Sequence, residues 1–564
     1  MPNVHTSNFN VACAVFGIFA TLFALVSYLI KERLFISESL IALVVGVIAG
    51  PHVGGFIEPS AWVRGGAAEV RRTTLDFTRI VLSIQVMLAG VQLPAKFTKH
   101  ARRPLGAVLG PGMVGMWVTS SLLIWAICVP TQSQQLEGRG GGRMPFLHAM
   151  AIGACVTPTD PVLAVTVIKG RWADLHVPNR LSQLISAESG ANDGLGYPFL
   201  FLVLYLIKYV GGNGQFAGSG SGGAGEAMKM FFGENVGFVV LLSVAWGIVV
   251  GYLARKALTY SHMLGYIDRE SLFAFSVILS VLIVGTCGMV GSDDILACFV
   301  AGNVLSWDDW LRKHTVKDSF EPTIDVLLNW AIFIWLGAVC PWRSFAPSAT
   351  GVDRTSAPLS LWRLACLVIS ILTLRRIPSI FALHKLGLLR PNVGSLREAF
   401  FMGYFGPIGV SAIFYLHIGL EYLQTEIRDI DARVRDDATD LYYLMEVCVW
   451  FTVVSSVIVF GLSIFAYSIV VYAVYHVHPR KRVQEHPYRI GHFIRHLADT
   501  LEHNRRIKML ADEEKALKEE WLLHHKWPGR VEPMFRRTRV EDGDSDQTGL
   551  ESSQTSRRVA VHDG

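Results

Sequence analysis

Two prolines flank a threonine and an aspartate within a long apolar stretch, at Thr157-Pro158-Thr159-Asp160-Pro161. Each proline removes a backbone donor and disfavours helix in the preceding residue, so the pair predicts an unwound centre. Unwound backbone at membrane depth is tolerated only where it packs against protein or lines a wet cavity. We expect Asp160 to balance a half-helix N-terminus and Thr159 to offer a hydroxyl to an ion. The alternative is a proline kink with an N-capping aspartate.

The next apolar stretch carries a second polar segment, Glu188-Ser189-Gly190-Ala191-Asn192-Asp193. Counting from either end of the stretch places Asp193 near mid-membrane, where a carboxylate costs about 2.5–3.5 kcal/mol and needs a partner, a proton or a water-filled cavity. Asp193 is therefore a candidate proton carrier, and Glu188 is expected to pair with a basic residue elsewhere. A structural ion pair without a transport role is the alternative for both acids.

A third segment, Phe405-Gly406-Pro407-Ile408-Gly409, interrupts an apolar stretch late in the chain. By itself it indicates a helix-packing face or a simple kink. Interrupted helices at corresponding positions in two halves instead indicate an inverted-repeat transporter, with the ion site where the two helices cross. The first and third segments together therefore predict two crossed, broken helices.

Basic residues inside apolar stretches are candidate partners for these acids and half-helix ends. Arg375 and Arg376 lie deep in one stretch, just before Pro378. Either could neutralise the half-helix end at 405–409 or pair with Glu188. Both could instead lie at the inner membrane surface as part of its positive charge.

The acidic pair Asp293-Asp294, after Gly291-Ser292, has two interpretations. Acids at a helix start are ordinary capping and dipole chemistry. Alternatively, the two carboxylates form a mouth that attracts cations.

The elements that position these residues are membrane helices. Of 564 residues, 51% are hydrophobic and 17% are charged, whereas a soluble protein is usually about a quarter charged. Apolar runs of about 20 residues, long enough to cross roughly 30 Å of hydrocarbon, recur along most of the chain. This pattern excludes a soluble enzyme, a disordered scaffold and a single-anchor receptor. It predicts an all-α polytopic membrane protein.

Hydropathy predicts about 13 transmembrane helices. They lie near 9–30, 35–53, 76–94, 104–129, 146–169, 181–208, 236–258, 271–290, 293–306, 323–342, 358–383, 398–420 and 440–474. The boundary at Gly291-Ser292 either separates two spans or is a kink inside one long helix. The predicted membrane domain is therefore 9–475.

The distribution of Lys and Arg between loops predicts the orientation. The basic loops lie on the cytoplasmic side if residues 1–8 are extracellular, although Arg64, Arg71 and Arg72 count against this assignment. The polar segment 476–564 is then a cytoplasmic tail, partly helical and then disordered. The small net charge of +5 gives no reason to expect a nucleic-acid partner.

Four long motifs resemble those of the fungal plasma-membrane sodium/proton antiporters, within the monovalent cation:proton antiporter superfamily. They are TPTDPVLA (157–164), ESGANDGLGYPF (188–199), SDDILACFVAGN (292–303) and REAFFMGYFGPIGVSAIFY (397–415). The resemblance extends over about 10–475. It implies a crossed-helix antiporter fold with inverted repeats, core and dimerisation subdomains, and a homodimer in the lipid bilayer of the plasma membrane.

The same resemblance implies residue roles. Asp193 alternately binds Na⁺ and a proton, Asn192 lies beside it, and Asp160 and Thr159 belong to the crossing. It links the Asp293-Asp294 pair to cation transport. The implied substrates are Na⁺, Li⁺ and often K⁺, exchanged for protons in salt tolerance and pH homeostasis.

One departure from the mammalian exchangers concerns Glu188. Those proteins carry a GLRGA-type stretch where this chain reads Gly406 to Val410, so the arginine that would pair with the glutamate is absent. Arg376 is the first candidate partner, followed by Arg375 and Arg397.

Two other classes of function are weighed against exchange. A cation channel would normally show a repeated filter or rings of acids, whereas the broken pair is asymmetric. An intramembrane enzyme would need a nucleophile, an acid dyad or a zinc motif, and the predicted spans contain no such pattern. We expect no cofactor, because the proton gradient drives the exchange.

Overall fold

The computed structural model describes residues 7–63, 66–135, 144–168, 173, 176–211, 222–315, 320–345, 359–428 and 436–477. The chain divides into two compact units, Met1–Ala473 and Val474–Gly564, and the described residues fall almost entirely in the first. The predicted tail lies outside the described residues from 478 onward, as do residues 1–6 of the predicted extracellular segment.

The described residues fold into helices without a β-strand. The α-helices are α1 (Asn8–Tyr28), α2 (Glu38–Ala49), α3 (Pro59–Trp62), α4 (Ala67–Gln92), α5 (Phe97–His100), α6 (Arg102–Ala107), α7 (Met113–Gln135), α8 (Phe146–Cys155), α9 (Pro161–Ile168), α10 (Asn179–Gly194), α11 (Gly196–Tyr209), α12 (Gly223–Met230), α13 (Leu242–Met263), α14 (Arg269–Val290), α15 (Asp294–Leu305), α16 (Trp310–Thr315), α17 (Phe320–Val339), α18 (Leu361–Leu374), α19 (Ile377–Lys385), α20 (Leu396–Tyr404), α21 (Val410–Tyr422) and α22 (Asp436–Val477). Wider π-helical turns occupy Leu29–Leu34, Val108–Gly112, Phe231–Leu241 and Leu423–Arg428, and a 3-10 turn occupies Trp342–Phe345.

Eight helical segments of the described chain are long and apolar enough to cross a membrane. They are Asn8–Lys31, Ala67–Gln92, Arg102–Cys128, Asn179–Tyr209, Gly223–Met263, Arg269–Val290, Leu361–Lys385 and Asp437–Val470. Shorter apolar helices are Glu38–Ala49, Phe146–Cys155, Asp294–Leu305 and Thr323–Val339. The all-α membrane architecture is confirmed, and helix occurs in each predicted span. The count of 13 crossings is not confirmed, because broken and short helices fall below the length needed to span alone.

The structure resolves the alternatives at Gly291. Helix α14 ends there, because Gly291 has a φ of +79°, a left-handed conformation that glycine adopts without a side-chain clash. Helix α15 then starts after Asp293. The segment is therefore two helices rather than one kinked helix.

Four spans are interrupted in the described chain. The gaps between α8 and α9 and between α20 and α21 fall at the predicted Pro- and Gly-containing segments. Two further interruptions were not predicted, at Leu195 between α10 and α11 and at Arg375-Arg376 between α18 and α19. Pro378 stands at the start of α19, where its missing N–H leaves no intrahelical hydrogen bond unmade.

Candidate ion-binding site

The two broken helices meet through Asp160. Its backbone N–H donates to the carbonyl of Pro407 at 2.9 Å. Its carboxylate accepts from the N–H of Leu163, in the first turn of α9, at 3.1 Å and from the N–H of Val410, the first residue of α21, at 2.6 Å. One buried carboxylate therefore balances the positive N-terminal ends of two half-helices.

Gly409 is the residue that permits this approach. A Cβ atom built on it would overlap the Asp160 carboxylate. The φ of Gly409 is −148°, so its role is to leave space rather than to adopt a left-handed backbone conformation.

We expect Gly409→Ala to abolish transport while Gly285→Ala leaves it unchanged. An added methyl group at Gly409 must displace Asp160 or separate the two half-helices, whereas a Cβ at Gly285 has no atom within 4 Å. Initial rates of cation-driven proton flux, normalised to the amount of folded protein in vesicles, would measure this. Equal rates for the two variants would show that the close contact is unimportant.

Arg375 offsets the partial negative charge at the C-terminal ends of α8 and α20, the other two half-helices. Its buried guanidinium donates to the carbonyl of Val156, just after α8, and to that of Gly406, just after α20. Carbonyl groups at a helix C-terminus carry partial negative charge, so a cation there is stabilising. Arg375 therefore lies at the crossing rather than at the membrane surface.

Arg376 lies against Glu188. Its Nη2 atom is 2.6 Å from Glu188 Oε2, and its Nε donates to the carbonyl of Met402 at 2.9 Å. The side chains are 3% and 0% exposed. Of the basic residues considered from the sequence, Arg376 is the one that the structure pairs with this glutamate. Arg397 is exposed.

A hydroxyl and amide network joins the first break to α10. The Asn192 side-chain amide donates to Thr159 Oγ1 at 2.7 Å, and its oxygen accepts from the Thr159 N–H at 3.3 Å. The hydroxyl of Ser189 lies 3.1 Å from that of Thr159. Ser189 was not singled out from the sequence, although its place one helical turn before Asn192 could have indicated it.

Asp193 differs from its neighbours because its carboxylate is unpaired. The residue is 0% exposed, and neither oxygen accepts a hydrogen bond from the residues that the structure describes. The Asp160 carboxylate and the Ser411 hydroxyl are close enough to act on it electrostatically. A buried, unpaired carboxylate is costly unless it takes up a proton or a cation, so Asp193 is poised to bind either one.

Helices α4 and α15 pack beside α10, which carries this carboxylate, and the contacts between the three helices fix their directions. The contacts are Arg79 with Asp294 and Met87 with Gly302 between α4 and α15, and Gly190 with Phe299 and Gly194 with Leu296 between α10 and α15. Helix α4 is therefore parallel to α15, whereas α10 is antiparallel to both. Gly190 also faces Ala89 of α4.

Gln85 is a further polar residue at this level. It lies one turn before Ala89 on the same face of α4, and the antiparallel arrangement places it beside the end of α10 that carries Asp193. Gln85 is 4% exposed, and neither atom of its amide has a hydrogen-bond partner in the described chain. From the sequence, a single glutamine in an otherwise apolar helical turn could have pointed to it.

The structure places Asp293 and Asp294 at the start of α15. Asp293 caps the helix by accepting from the N–H of Leu296 at 3.0 Å, and Asp294 pairs with Arg79 at 2.7 Å. These are the contacts of the ordinary capping interpretation. A role of the pair as a cation mouth stays a prediction.

The chain matches the family "Sodium/hydrogen exchanger, transmembrane" over residues 19–469. It is 35% identical over 461 residues to "Na(+)/H(+) antiporter 2" of Zygosaccharomyces rouxii, covering 81% of this chain and 52% of that protein. It is 34% identical over 468 residues to a Saccharomyces cerevisiae "Na(+)/H(+) antiporter", covering 82% of this chain and 44% of that protein. The chain thus spans about half the length of these two relatives.

A Schizosaccharomyces pombe "Na(+)/H(+) antiporter" is 29% identical over 465 residues, covering 81% of this chain and 89% of that protein. Among solved structures, the sodium proton antiporter MjNhaP1 from Methanocaldococcus jannaschii matches with a TM-score of 0.55 at 18% identity. That match covers 82% of this chain and 100% of the other. It supports the antiporter fold.

Proposed function

Because the chain belongs to the transmembrane sodium/hydrogen exchanger family, we propose that it exchanges alkali cations for protons across a membrane. The observation that carries the proposal is the unpaired carboxylate of Asp193 beside the crossing of two broken helices. Every other charged side chain described at the crossing is engaged by a protein group.

The mechanism is competition for one carboxylate. A proton and a cation cannot both occupy Asp193, and the site crosses the membrane only when one of them is bound. Movement of a cation in one direction is then tied to movement of a proton in the other.

Hard oxygen ligands suit an alkali cation, and several lie near Asp193. Thr159 and Ser189 offer hydroxyls, and Asn192 and Gln85 offer amide oxygens. The protein needs no resident cofactor for this step.

The charges of Asp160 and Arg375 have a different role. Both side chains are hydrogen-bonded to half-helix ends. They therefore balance the partial charges at the crossing while Asp193 exchanges a bound proton for a cation.

Exchange is favoured over a channel. The ends of the half-helices are capped by the buried side chains of Asp160 and Arg375. This arrangement is typical of a carrier site that opens to one side of the membrane at a time, rather than of an open pore. By resemblance, the substrates are Na⁺ and Li⁺ and also K⁺, and the carrier is a homodimer in the plasma membrane with its C-terminal tail in the cytoplasm.

The test is flux in vesicles. The full chain, reconstituted with a trapped pH dye, is expected to release an imposed pH gradient on addition of Na⁺ or Li⁺, with a rate that saturates. Na⁺ flux driven by membrane potential without proton movement would support a channel instead. Salt tolerance of cells lacking their own alkali-cation efflux, with and without this chain, gives the cellular counterpart.

A further inference from the structure

Helix α21 presents two hydroxyl side chains to the end of α10. Ser411 and Tyr415 are four residues apart, so they lie on one face of the helix. The Ser411 hydroxyl is near the Asp193 carboxylate, and the Tyr415 hydroxyl donates a hydrogen bond to the backbone carbonyl of Asp193. Both are fully buried.

The bond from Tyr415 goes to a carbonyl that its own helix leaves unpaired. Asp193 is in the last turn of α10, and the last carbonyls of a helix have no intrahelical donor. Leu195, with a ψ of +5°, then separates α10 from α11. The tyrosine therefore caps the helix end on which the candidate ion carboxylate is carried.

The ring of Tyr415 is fixed in place by its surroundings. A Cβ atom on Gly196 would overlap the ring, so only glycine lets α11 pass this close. The rings of Phe414 and Tyr197 pack against it, with centroids 5.3 and 5.5 Å away. The hydroxyl is thus directed at the Asp193 carbonyl by packing on several sides.

The same helix is anchored at its other end to the crossing. The N–H of Val410, where α21 begins, donates to Asp160. One rigid turn and a half of helix therefore connects the balanced crossing to the backbone of Asp193. A shift of either end is transmitted to the carboxylate.

We propose that Tyr415 is a positioning residue that holds Asp193 in place and thereby sets the preference for small alkali cations. This inference rests on the proposed function. Li⁺ and Na⁺ are smaller than K⁺, so their oxygen ligands must lie closer together, and selectivity between cations of different size depends on how rigidly the ligands are held. Without the hydroxyl, the backbone carbonyl of Asp193 loses its donor, the end of α10 is less firmly held, and the ligand shell loosens.

Tyr415→Phe removes only the hydroxyl and keeps the ring. We expect the KM for Li⁺ and Na⁺ to rise about three- to tenfold, the range that one hydrogen bond supplies, with a smaller change for K⁺ and a nearly unchanged kcat. The matched control is Tyr422→Phe on the same helix, whose ring packs against Phe201 and Tyr205 away from Asp193. It should leave all three KM values at the wild-type level.

Gly196→Ala gives a second route to the same displacement, because it keeps the hydroxyl but pushes the ring. It should lower the KM for K⁺ divided by the KM for Na⁺, as Tyr415→Phe does. If Tyr415→Phe does not fold, Gly196→Ala serves as the test variant. Unchanged ratios in a folded Tyr415→Phe, or an equal loss of rate for every cation, overturn the positioning role. If the wild-type protein exchanges normally in that experiment, the proposed function is supported whatever the variants do. If the wild-type protein shows no exchange, both the proposed function and the role of Tyr415 are overturned.

Discussion

Replacing Asp193 with asparagine is expected to abolish cation-driven proton flux while leaving the protein folded in the membrane. Asparagine has nearly the same shape but neither takes up a proton nor carries a negative charge. Because the native carboxylate accepts no hydrogen bond from the described residues, the substitution breaks no protein contact there. A loss of at least about a hundredfold in initial rate is expected, since a charge-assisted step is removed rather than weakened. The rate is measured in vesicles with a trapped pH dye.

The matched control is the same chemical change at an exposed site. Asp308 lies in the loop before α16, where its carboxylate is 3.8 Å from the Arg255 guanidinium and accepts from the N–H of Trp310 at 3.3 Å, a bond that an asparagine oxygen can also accept. Surface pairs of this kind contribute little to stability, so Asp308→Asn should keep the wild-type rate. Full Na⁺-driven proton flux from Asp193→Asn would falsify the mechanism of competition at this carboxylate.

The second large effect is expected at the buried pair of Glu188 and Arg376. Replacing Arg376 with methionine leaves Glu188 buried without its partner, which costs about 3–5 kcal/mol of folding free energy. Combining it with Glu188→Gln removes the isolated charge. We expect the double variant to be more stable than Arg376→Met alone, so the two effects are not additive. Melting temperatures of the purified protein in detergent would show the order.

Lys208 and Glu426 provide the exposed counterpart of this pair. Their charged atoms are 2.7 Å apart, nearly the same distance, but the side chains are 20% and 48% exposed. Glu426→Gln should therefore change stability by less than about 1 kcal/mol. A similarly small effect of Arg376→Met would mean that Glu188 binds water or another partner. Burial would then not determine how much the ion pair contributes to stability.

Local chemistry in the sequence was enough to predict the membrane helices and two of the interruptions. Hydropathy depends only on which side chains follow one another, and Pro158 and Pro407 act on the backbone directly beside them. The interruption at Leu195 was missed, because neither glycine beside it prevents a helix. In the structure the turn lies where both glycines pack closely on other helices, Gly194 on Leu296 and Gly196 on Tyr415.

The sequence by itself determined that this protein is a helical membrane protein, and it marked Asp160, Glu188 and Asp193 as acids within its apolar stretches. Partners were decided only in three dimensions: Arg376 for Glu188, two half-helix N-termini for Asp160, and Tyr415 for the backbone of Asp193. The physical reason is distance along the chain. A break in a helix follows from adjacent residues, whereas a buried charge is stabilised by whichever distant residue the packing brings within about 3 Å of it.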